Sequence, residues 1–291
     1  MALDLIDANR SLRERLSAPR RAGTTIGFVP TMGALHAGHA RLIERARRAC
    51  GCLVVSIFVN PLQFDREDDL ARYPRSREAD LDLCASLGAD VVFSPTVEEM
   101  YPAPPRCTVD VGSLGDHLCG RFRPGHFRGV ATVVMKLLQI VQPDAAFFGE
   151  KDAQQLAIVR RLVKDFNVPV AIVGVPTVRE GDGLALSSRN QRLSPGEREL
   201  APALYRALRA AASLVAAGVT DAARIRRDAA ALIPPDPGMR LEYLEIVTAD
   251  DIQPVQQVDG DVVVAGALWV GDTRLIDNIR CEGPPNPGRD T

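Results

Sequence analysis

The stretch Thr24-Thr25-Ile26-Gly27-Phe28-Val29-Pro30-Thr31-Met32-Gly33-Ala34-Leu35-His36-Ala37-Gly38-His39 decides the fold of this chain. Residues 24–29 are largely apolar and predict a buried strand. The glycine-rich turn after them leads into a helix predicted over 39–50, because apolar side chains there recur every three to four residues. Gly51 is suited to end that helix.

The same alternation of strand and helix continues through the first two-thirds of the sequence. Further strands are predicted over 53–59, 91–93, 145–148 and 170–175, and helices over 76–87, 130–141 and 153–166. Strands that alternate with helices form parallel sheets covered on both faces. We therefore predict an α/β fold with a Rossmann-like parallel sheet in the N-terminal domain, whose ligands bind where the strands end.

The pattern changes after about Pro176, where a smaller α+β domain is predicted. Ser194-Pro195-Gly196-Glu197 has the form of a capping box and opens one long helix, expected to end near Gly218. A helix over 220–232 and strands over 241–247, 262–270 and 274–279 follow. We expect domains over 1–177 and 178–291, the second acting as a lid, with a disordered tail from about Gly283.

The charge balance excludes several functional classes. The 35 Lys and Arg residues against 37 Asp and Glu give a net charge of −2, whereas sequence-blind binding of nucleic acid needs a basic surface. No apolar run is long enough to span a membrane, and the N-terminus does not resemble a signal peptide, so we expect a cytoplasmic protein. The six cysteines form no Cys-x-x-Cys pair, which predicts reduced thiols and no zinc site.

Only three of the 35 basic residues are lysines, an excess of arginine that a coding bias explains. Lys136 and Lys164 lie inside amphipathic helices and are predicted to be solvated. Lys151 directly follows a predicted strand, where an ammonium suits a phosphate group as a point charge. Gln155 lies four residues later, one helical turn along the same face.

Two histidines three residues apart begin the helix after the first predicted strand. Gly33 and Gly38 have P-loop spacing, but His39 stands in place of the lysine, so this is not a Walker A site. The rings of His36 and His39 should lie near one face, beside unpaired amides and the positive end of the helix dipole. We predict that this site holds a phosphate chain and stabilises a transferring phosphoryl group. The alternative is that one histidine caps the helix and the other is a polar surface residue.

Two further loops leave predicted strand ends. Gln63 follows an Asn-Pro turn and could bind a polar substrate, although a solvated turn glutamine is commoner. The loop over 176–190 carries Gly181 and Gly183, followed by the phosphate-clamp candidates Ser187, Ser188 and Arg189. A mobile loop at a domain boundary is a natural lid, with a polar linker as the alternative.

Five motifs in order along the chain resemble those of the pantothenate synthetase (pantoate-β-alanine ligase) family. They are Pro-Thr-Met-Gly-Ala-Leu-His-x-Gly-His at 30–39, Phe-Val-Asn-Pro-x-Gln-Phe at 58–64, Arg-Pro-x-His-Phe-x-Gly-Val-x-Thr-Val-Val at 123–134, Phe-Gly-Glu-Lys-Asp at 148–152 and Ser-Ser-Arg-Asn at 187–190. The first and last resemble the His-x-Gly-His and Lys-Met-Ser-Lys-Ser elements of the wider superfamily of nucleotidyltransferases and class I tRNA synthetases.

The resemblance implies a ligase with two half-reactions. The carboxylate of pantoate attacks the α-phosphate of ATP, giving pantoyl adenylate and pyrophosphate. The amine of β-alanine then attacks the adenylate, and pantothenate and AMP are released. Mg²⁺ accompanies the ATP, no tightly bound organic cofactor is implied, and a homodimer is expected.

The resemblance also assigns site residues. Catalytic roles fall on His39, which takes the acid role, on His36 beside it and on Lys151. The ATP contacts fall on Met32, Gly33, Ala34, Leu35, His36, Ala37, Gly38, His39, Gly149, Glu150, Lys151, Asp152, Val178, Leu186, Ser187, Ser188 and Arg189. Pantoate contacts fall on Gln63 and Gln155, with Gln63 also facing β-alanine. Ala153 and Arg192 stand outside the motifs where the family leads us to expect tyrosine.

Two other functions are compatible with these motifs. A nucleotidyltransferase would keep the nucleotide on its product, and a nucleotide-binding regulatory protein would bind ATP without turning over any acid. A tRNA synthetase fragment is disfavoured by the charge balance and by the lack of chain for an anticodon domain. No metal ligands are assigned, although Glu78 and Asp80 on an acidic helix are candidates for a metal site.

Overall fold

The computed structural model describes residues 3–283, which form two compact units. The first unit contains the described part of Met1–Gly112, together with Arg123–Glu150 and Ile158–Val178. The second contains Ser113–Phe122, Lys151–Ala157 and the described part of Arg179–Thr291. The expected boundary at 177/178 and the lid role of the second domain stay predictions. Apart from Gly283, the tail expected to be disordered lies outside the described residues.

The first unit is built on a six-stranded sheet whose neighbouring strands are all parallel. Its strands are β1 (Asp4–Ile6), β2 (Ile26–Thr31), β3 (Cys52–Ile57), β4 (Val91–Phe93), β5 (Ala145–Gly149) and β6 (Ala171–Val175), in the order β1-β4-β3-β2-β5-β6. This confirms the predicted Rossmann-like α/β architecture. The chain runs outward from β2 to β4 and returns to place β5 on the other side of β2. The order therefore reverses between β2 and β5, and sheets of this kind bind ligands at such a reversal.

Helices connect these strands and continue into the second unit. They are α1 (Asn9–Arg21), α2 (Ala37–Ala49), α3 (Glu67–Ala71), α4 (Arg77–Ser86), α5 (Val97–Met100), α6 (Leu118–Phe122), α7 (His126–Val141), α8 (Ala153–Asp165), α9 (Pro195–Leu200), α10 (Ala203–Ala216) and α11 (Ala222–Ala230). On one face of the sheet, Ile43 and Ala46 of α2 and Cys84 of α4 join one hydrophobic cluster with Val29 and Val55. None of the helices within residues 3–283 has the length and apolar character needed to cross a bilayer.

Strand β1 and helix α1 were not predicted, because their sequence signals are weak. The strand has only three residues, and the helix begins at Asn9 after Ala8, which provides no side-chain cap, and contains Pro19 near its end. Only Leu12 and Leu16 of the helix are buried, among arginines that are exposed or partly exposed. This pair, four residues apart and fully buried, is the one signal from which the helix could have been found.

Helix α7 begins at His126 rather than at the predicted Val130, so most of the 123–134 motif is helical. Gly125 precedes it in the left-handed region, with φ of 79°. Gly129 lies so close to the turn after β3 that a Cβ built on it would come within 2.1 Å of the Leu62 carbonyl oxygen. Helix α7 can approach this turn only because residue 129 has no side chain.

The second unit contains a three-stranded antiparallel sheet, in the order β7 (Met239–Thr248), β8 (Val262–Val270) and β9 (Thr273–Cys281). Helices α10 and α11 cover it, with Leu208 and Ile225 fully buried in the shared core. The predicted capping box at Ser194 and Glu197 is confirmed. The prediction of a single long helix after this capping box is wrong, because Pro202 separates α9 from α10. Proline has no N–H to continue the helical hydrogen bonds.

The six cysteines are free thiols, and five of them are buried. Burial raises the pKa of Cys84 to about 12 and that of Cys281 to about 11. Both therefore remain protonated near neutral pH and pack as small apolar side chains, as the sequence predicts.

Replacing Gly129 by alanine tests the close approach of α7. The added methyl group would meet backbone atoms that cannot rotate away, so we expect the free energy of unfolding to fall by about 1–3 kcal/mol. Gly196→Ala is the matched control, because a Cβ on this helical glycine meets nothing within 4 Å. Urea unfolding measures both variants, and equal stability of the two would contradict the packing described for Gly129.

Candidate active site

The residues assigned to the site fall in both compact units, and each set is described within its own unit. The first unit holds Met32–His39, Gln63, Gly149, Glu150 and Val178. The second holds Lys151, Asp152, Gln155 and Leu186–Arg189.

Helix α2 starts two residues earlier than predicted because His36 caps it. The Gly38 N–H donates to Nδ1 of His36 at 3.1 Å, and the His36 N–H donates to Nδ1 of His39 at 3.3 Å. The two ring centroids are 4.2 Å apart, which confirms the expected adjacency of the histidines. Capping was the alternative to a functional role, and the geometry shows that both rings take part in the cap.

The cap also fixes which nitrogen of each imidazole carries a proton. A backbone N–H can only donate, so Nδ1 of both His36 and His39 must act as an acceptor. In its neutral form, each ring therefore carries its proton on Nε2. Both histidines are oriented by the backbone as Nε2–H tautomers.

The backbone amides of the turn before α2 are largely occupied, contrary to the expectation of unpaired amides. Gly33 N–H donates to the Thr31 hydroxyl at 3.2 Å. Ala34 and Leu35 N–H donate to the two oxygens of the Asp80 carboxylate at 2.9 and 2.8 Å. With the His36 and Gly38 amides also engaged in the cap, these five groups do not point at a ligand.

The carboxylate of Asp80 anchors this turn. It is 2% exposed, and the Ser76 hydroxyl also donates to it at 3.1 Å. Within residues 3–283, no group of three or more His, Cys, Asp or Glu side chains could hold a metal ion. The suggestion that Glu78 and Asp80 contribute to a metal site therefore gains no support from such a group and stays a prediction.

The turn held by Asp80 has an uncommon backbone conformation. Gly33 has φ of 80°, and a Cβ there would lie 3.0 Å from the Asp80 carboxylate. Ala34 follows with φ of 51°, in the left-handed region that costs a residue with a side chain about 1 kcal/mol. The carboxylate of Asp80 compensates for this conformation by accepting the Ala34 and Leu35 amides.

Gln63 is buried rather than solvated, with 8% of its surface exposed. Its amide Nε2 donates to the Met32 sulfur at 2.8 Å, and its Oε1 accepts from Asn60 at 3.2 Å. Asn60 in turn accepts from the Tyr101 hydroxyl at 2.9 Å and donates to the Gly129 carbonyl at 3.1 Å. Burial raises the pKa of Tyr101 to about 12, so its hydroxyl remains a donor at neutral pH.

A second set of contacts fixes the backbone of Gln63. Its carbonyl oxygen accepts from Nδ1 of His126 at 2.7 Å and from Arg123 at 3.3 Å. Arg123 also donates to Asp65 at 3.0 Å and lies 3.2 Å from Nε2 of His126. No role was predicted for Asn60, Arg123 or His126, although all three stand in the quoted motifs. Their presence in those motifs is the signal from which a role could have been inferred.

In the second unit, Lys151 lies in a single 3-10 turn, Glu150–Asp152, directly before α8. Its side chain is 18% exposed, and its ammonium lies 4.0 Å from the Asp152 carboxylate. Gln155 follows in the first turn of α8 and is half-buried. Ala153, one of two residues standing where tyrosine was expected, is the first residue of that helix.

The start of the predicted lid loop makes several hydrogen bonds and ion pairs. Residues 179–185 form a small hairpin, in which Glu180 N–H donates to the Leu184 carbonyl at 2.8 Å. Gly183 has φ of 93°, and the ring of Tyr205 occupies the space that a Cβ would need. This glycine therefore serves a tight turn. Arg198 bridges Glu180 and Asp182 at 2.7 and 2.6 Å.

Ser187 follows the hairpin and caps a 3-10 turn, Ser188–Arg192, by accepting from the Arg189 N–H at 3.2 Å. The Asn190 side chain donates to the Ala185 carbonyl at 3.1 Å, which closes the connection. Arg192, the other residue at an expected tyrosine position, ends this turn. The Ser-Ser-Arg-Asn motif is thus a short, capped turn joined to an anchored hairpin.

Comparison with known proteins decides the family. A family model described as pantoate-beta-alanine ligase matches residues 4–280 of the chain. The chain belongs to the pantoate-beta-alanine ligase family. It is thus a member of a family of enzymes, and the resemblance inferred from the motifs is confirmed.

Relatives of similar length carry the name pantothenate synthetase. The one from Moorella thermoacetica is 49% identical over 280 residues, which cover 96% of this chain and 99% of that relative. Other curated relatives are bifunctional pantoate ligase/cytidylate kinases. The chain spans about half of their length, 50% for the Synechococcus elongatus protein, which is 55% identical over 262 residues.

Solved structures of the pantoate-beta-alanine ligase family share the fold. Pantothenate synthetase from Thermus thermophilus superposes with a TM-score of 0.87 at 46% identity, covering 95% of this chain and 98% of that one. The ligase from Francisella tularensis, complexed with beta-gamma ATP and beta-alanine, gives a TM-score of 0.78 at 35% identity, covering 96% and 97%.

Asp80→Asn tests whether this carboxylate holds the turn before α2. An amide can accept with only one of its two ends, so one backbone N–H of the turn would face an N–H donor. We expect the free energy of unfolding to fall by about 1.5–3 kcal/mol, the range for a hydrogen bond to a charged group. Asp82→Asn, on the exposed side of the same helix, is the control. If both variants unfold at the same urea concentration, Asp80 does not anchor the turn.

Proposed function

We propose that this chain catalyses the ATP-dependent condensation of pantoate with β-alanine to pantothenate, through a pantoyl-adenylate intermediate. Pantoate attacks the α-phosphate of ATP and releases pyrophosphate, and β-alanine then displaces AMP from the adenylate. Membership of the family and the names of the full-length relatives support the overall reaction. The Francisella ligase complex supports ATP and β-alanine as substrates.

The observation that carries this proposal is the capped histidine pair at the start of α2. The helix begins directly after β2, next to the reversal in strand order, where such sheets bind nucleotides. His36 and His39 lie side by side there, and Nδ1 of each ring accepts a backbone N–H, so the donor of each neutral ring is Nε2–H. Two oriented N–H donors at the positive end of a helix suit an α-phosphate that gains negative charge as it is attacked.

The remaining site residues receive complementary roles. Lys151 supplies an ammonium group to the phosphates, and Ser187, Ser188 and Arg189 hold the departing pyrophosphate. Gln63 and Gln155 bind pantoate, with Gln63 also facing β-alanine. The other proposed ATP contacts are those that the family resemblance implies: Met32, Gly33, Ala34, Leu35, Ala37, Gly38, Gly149, Glu150, Asp152, Val178 and Leu186. Exclusion of water would protect the adenylate from hydrolysis.

The proposal for Gln63 is supported by its surroundings. Its buried side-chain amide is held by Asn60, and its backbone carbonyl is held by His126, so the residue is already oriented before substrate binds. Orientation of this kind removes entropy that would otherwise be lost on binding.

ATP is proposed to enter with Mg²⁺. The residues described offer no group of carboxylates and histidines that could cage a metal ion, so we assign no protein ligand to it and no step of the reaction. Mg²⁺ commonly keeps several waters and is carried by substrate phosphates, which fits a metal that arrives with ATP. A cytoplasmic homodimer is also part of the proposal and rests on the family resemblance and the charge pattern.

Isotope exchange between pyrophosphate and ATP tests the proposal against its rivals. We expect exchange only when pantoate is present, and AMP only when β-alanine is added. AMP release without an amine, or exchange indifferent to pantoate, would contradict the ligase proposal, and a nucleotide retained on the product would point to a nucleotidyltransferase. Tight ATP binding without turnover of any acid would point to a regulatory protein.

Lys151→Ala tests the role of the ammonium in the first half-reaction. Loss of one charge-stabilising contact typically lowers kcat by about 10²–10³. The pantoate-dependent exchange rate measures this effect. Lys164→Ala, on the exposed face of α8, is the control and should keep the wild-type rate. A wild-type rate in the Lys151 variant would remove this lysine from the mechanism.

A further inference from the structure

Two neighbouring residues of β9, Asp277 and Asn278, contact segments that are distant in the sequence. The Asp277 carboxylate is 6% exposed and accepts both terminal nitrogens of Arg179, at 2.6 and 2.9 Å. Arg179 also donates to the backbone carbonyl of Asn278 at 3.2 Å. This bidentate pair joins β9 to the first residue of the hairpin 179–185.

Asn278 makes the second connection. Its side-chain nitrogen donates to the backbone carbonyl of Lys151 at 2.8 Å. The orientation of the amide follows from chemistry, because a carbonyl oxygen can only accept. Asp277 keeps Asn278 in place, since its carboxylate also accepts the Asn278 backbone N–H at 2.8 Å.

The hairpin 179–185 connects Arg179 to the Ser-Ser-Arg turn and fixes where that turn begins. The guanidinium of Arg179 lies over the ring of Tyr205 at 4.1 Å and donates to the Gly183 carbonyl at 3.1 Å. Ala185, at the other end of the hairpin, is bridged to Arg179 and accepts from Asn190. Ser187 and Arg189 therefore lie directly after a backbone segment that Arg179 attaches to β9.

We propose that Asp277 and Asn278 are positioning residues for the adenylation step. Asn278 fixes the backbone from which the Lys151 ammonium reaches the phosphates, and Asp277 fixes the hairpin that leads to Ser187 and Arg189. This inference rests on the function proposed above. Neither residue touches substrate; each acts through the groups that it holds.

Asn278→Ala removes the donor to Lys151 without adding charge, and Asn278→Asp keeps the shape but places an acceptor against the carbonyl. Misplacement of a reacting group by about 1 Å lowers rates by up to 10²-fold. We expect kcat of pantoate-dependent pyrophosphate exchange to fall by about 10- to 10²-fold in both variants, with KM for ATP changed by less than about threefold. Asp277→Asn should instead raise KM for pyrophosphate several-fold, because it loosens the segment proposed to hold that product.

Asp261→Asn is the matched control, because its partner Arg280 also lies on β9, at 3.0 Å, and this exposed pair contacts neither Lys151 nor the hairpin. It should keep wild-type kinetics. Thermal unfolding of every variant is recorded, and assays are run well below the lowest midpoint. The wild-type protein is measured in the same assay. If it shows no pantoate-dependent exchange, the proposed ligase function is wrong; if it does, the variants test the positioning role of Asp277 and Asn278.

A double-mutant cycle with Lys151→Ala decides between positioning and general stability. If Asn278 acts through Lys151, Asn278→Ala should lower the rate of the Lys151→Ala protein by less than about threefold. The same fold-loss in both backgrounds would overturn the proposal, as would a wild-type kcat in Asn278→Ala. Failure of both Asn278 variants to fold would assign the residue to stability and would overturn it as well.

Discussion

The turn between β2 and α2 depends on one buried carboxylate. Asp80 accepts two consecutive amides of that turn, from residues 45 and 46 positions earlier in the chain. Without an acceptor, each buried N–H would cost about 1–3 kcal/mol, and Ala34 would have little to hold it in the left-handed region. Because the turn is held, the chain can pass from β2 directly into the histidine cap, and the rings of His36 and His39 are brought together.

The second unit uses the same principle for Lys151 and the Ser-Ser-Arg turn. Both segments are loops or single turns, and each is joined to β9, the first directly at Lys151 and the second through the hairpin 179–185. A regular strand, β9, supplies the fixed reference through a carboxylate and an amide at adjacent positions. Under the proposed function, loops carry the chemistry, while precision comes from the strand to which each loop is hydrogen-bonded.

The sequence predicted the central sheet well because buried parallel strands are continuous apolar runs, as in residues 53–57 and 145–148. It did not predict α1, whose apolar face is only Leu12 and Leu16, or the break at Pro202 inside an otherwise helical pattern. The contacts of Asp80, Asp277 and Asn278 could not be predicted from the sequence for a different reason. Their long-range partners lie 45 to 127 residues away in the sequence, whereas the spacing of residues predicts contacts only within a few helical turns.

The expectation of free amides at the start of α2 failed for a reason that sharpens the proposed chemistry. A helix start ordinarily offers its backbone N–H groups to a phosphate, but here Ala34, Leu35, His36 and Gly38 already donate to protein acceptors. Protonation of Nδ1 on either histidine would remove an acceptor on which the cap depends. In the proposed reaction, Nε2 of each histidine is therefore the ring nitrogen available to the substrate, and Lys151 and Arg189 are the cationic side chains. Under the proposed function, the histidines would contribute hydrogen-bond donors while the cap that orients them stays intact.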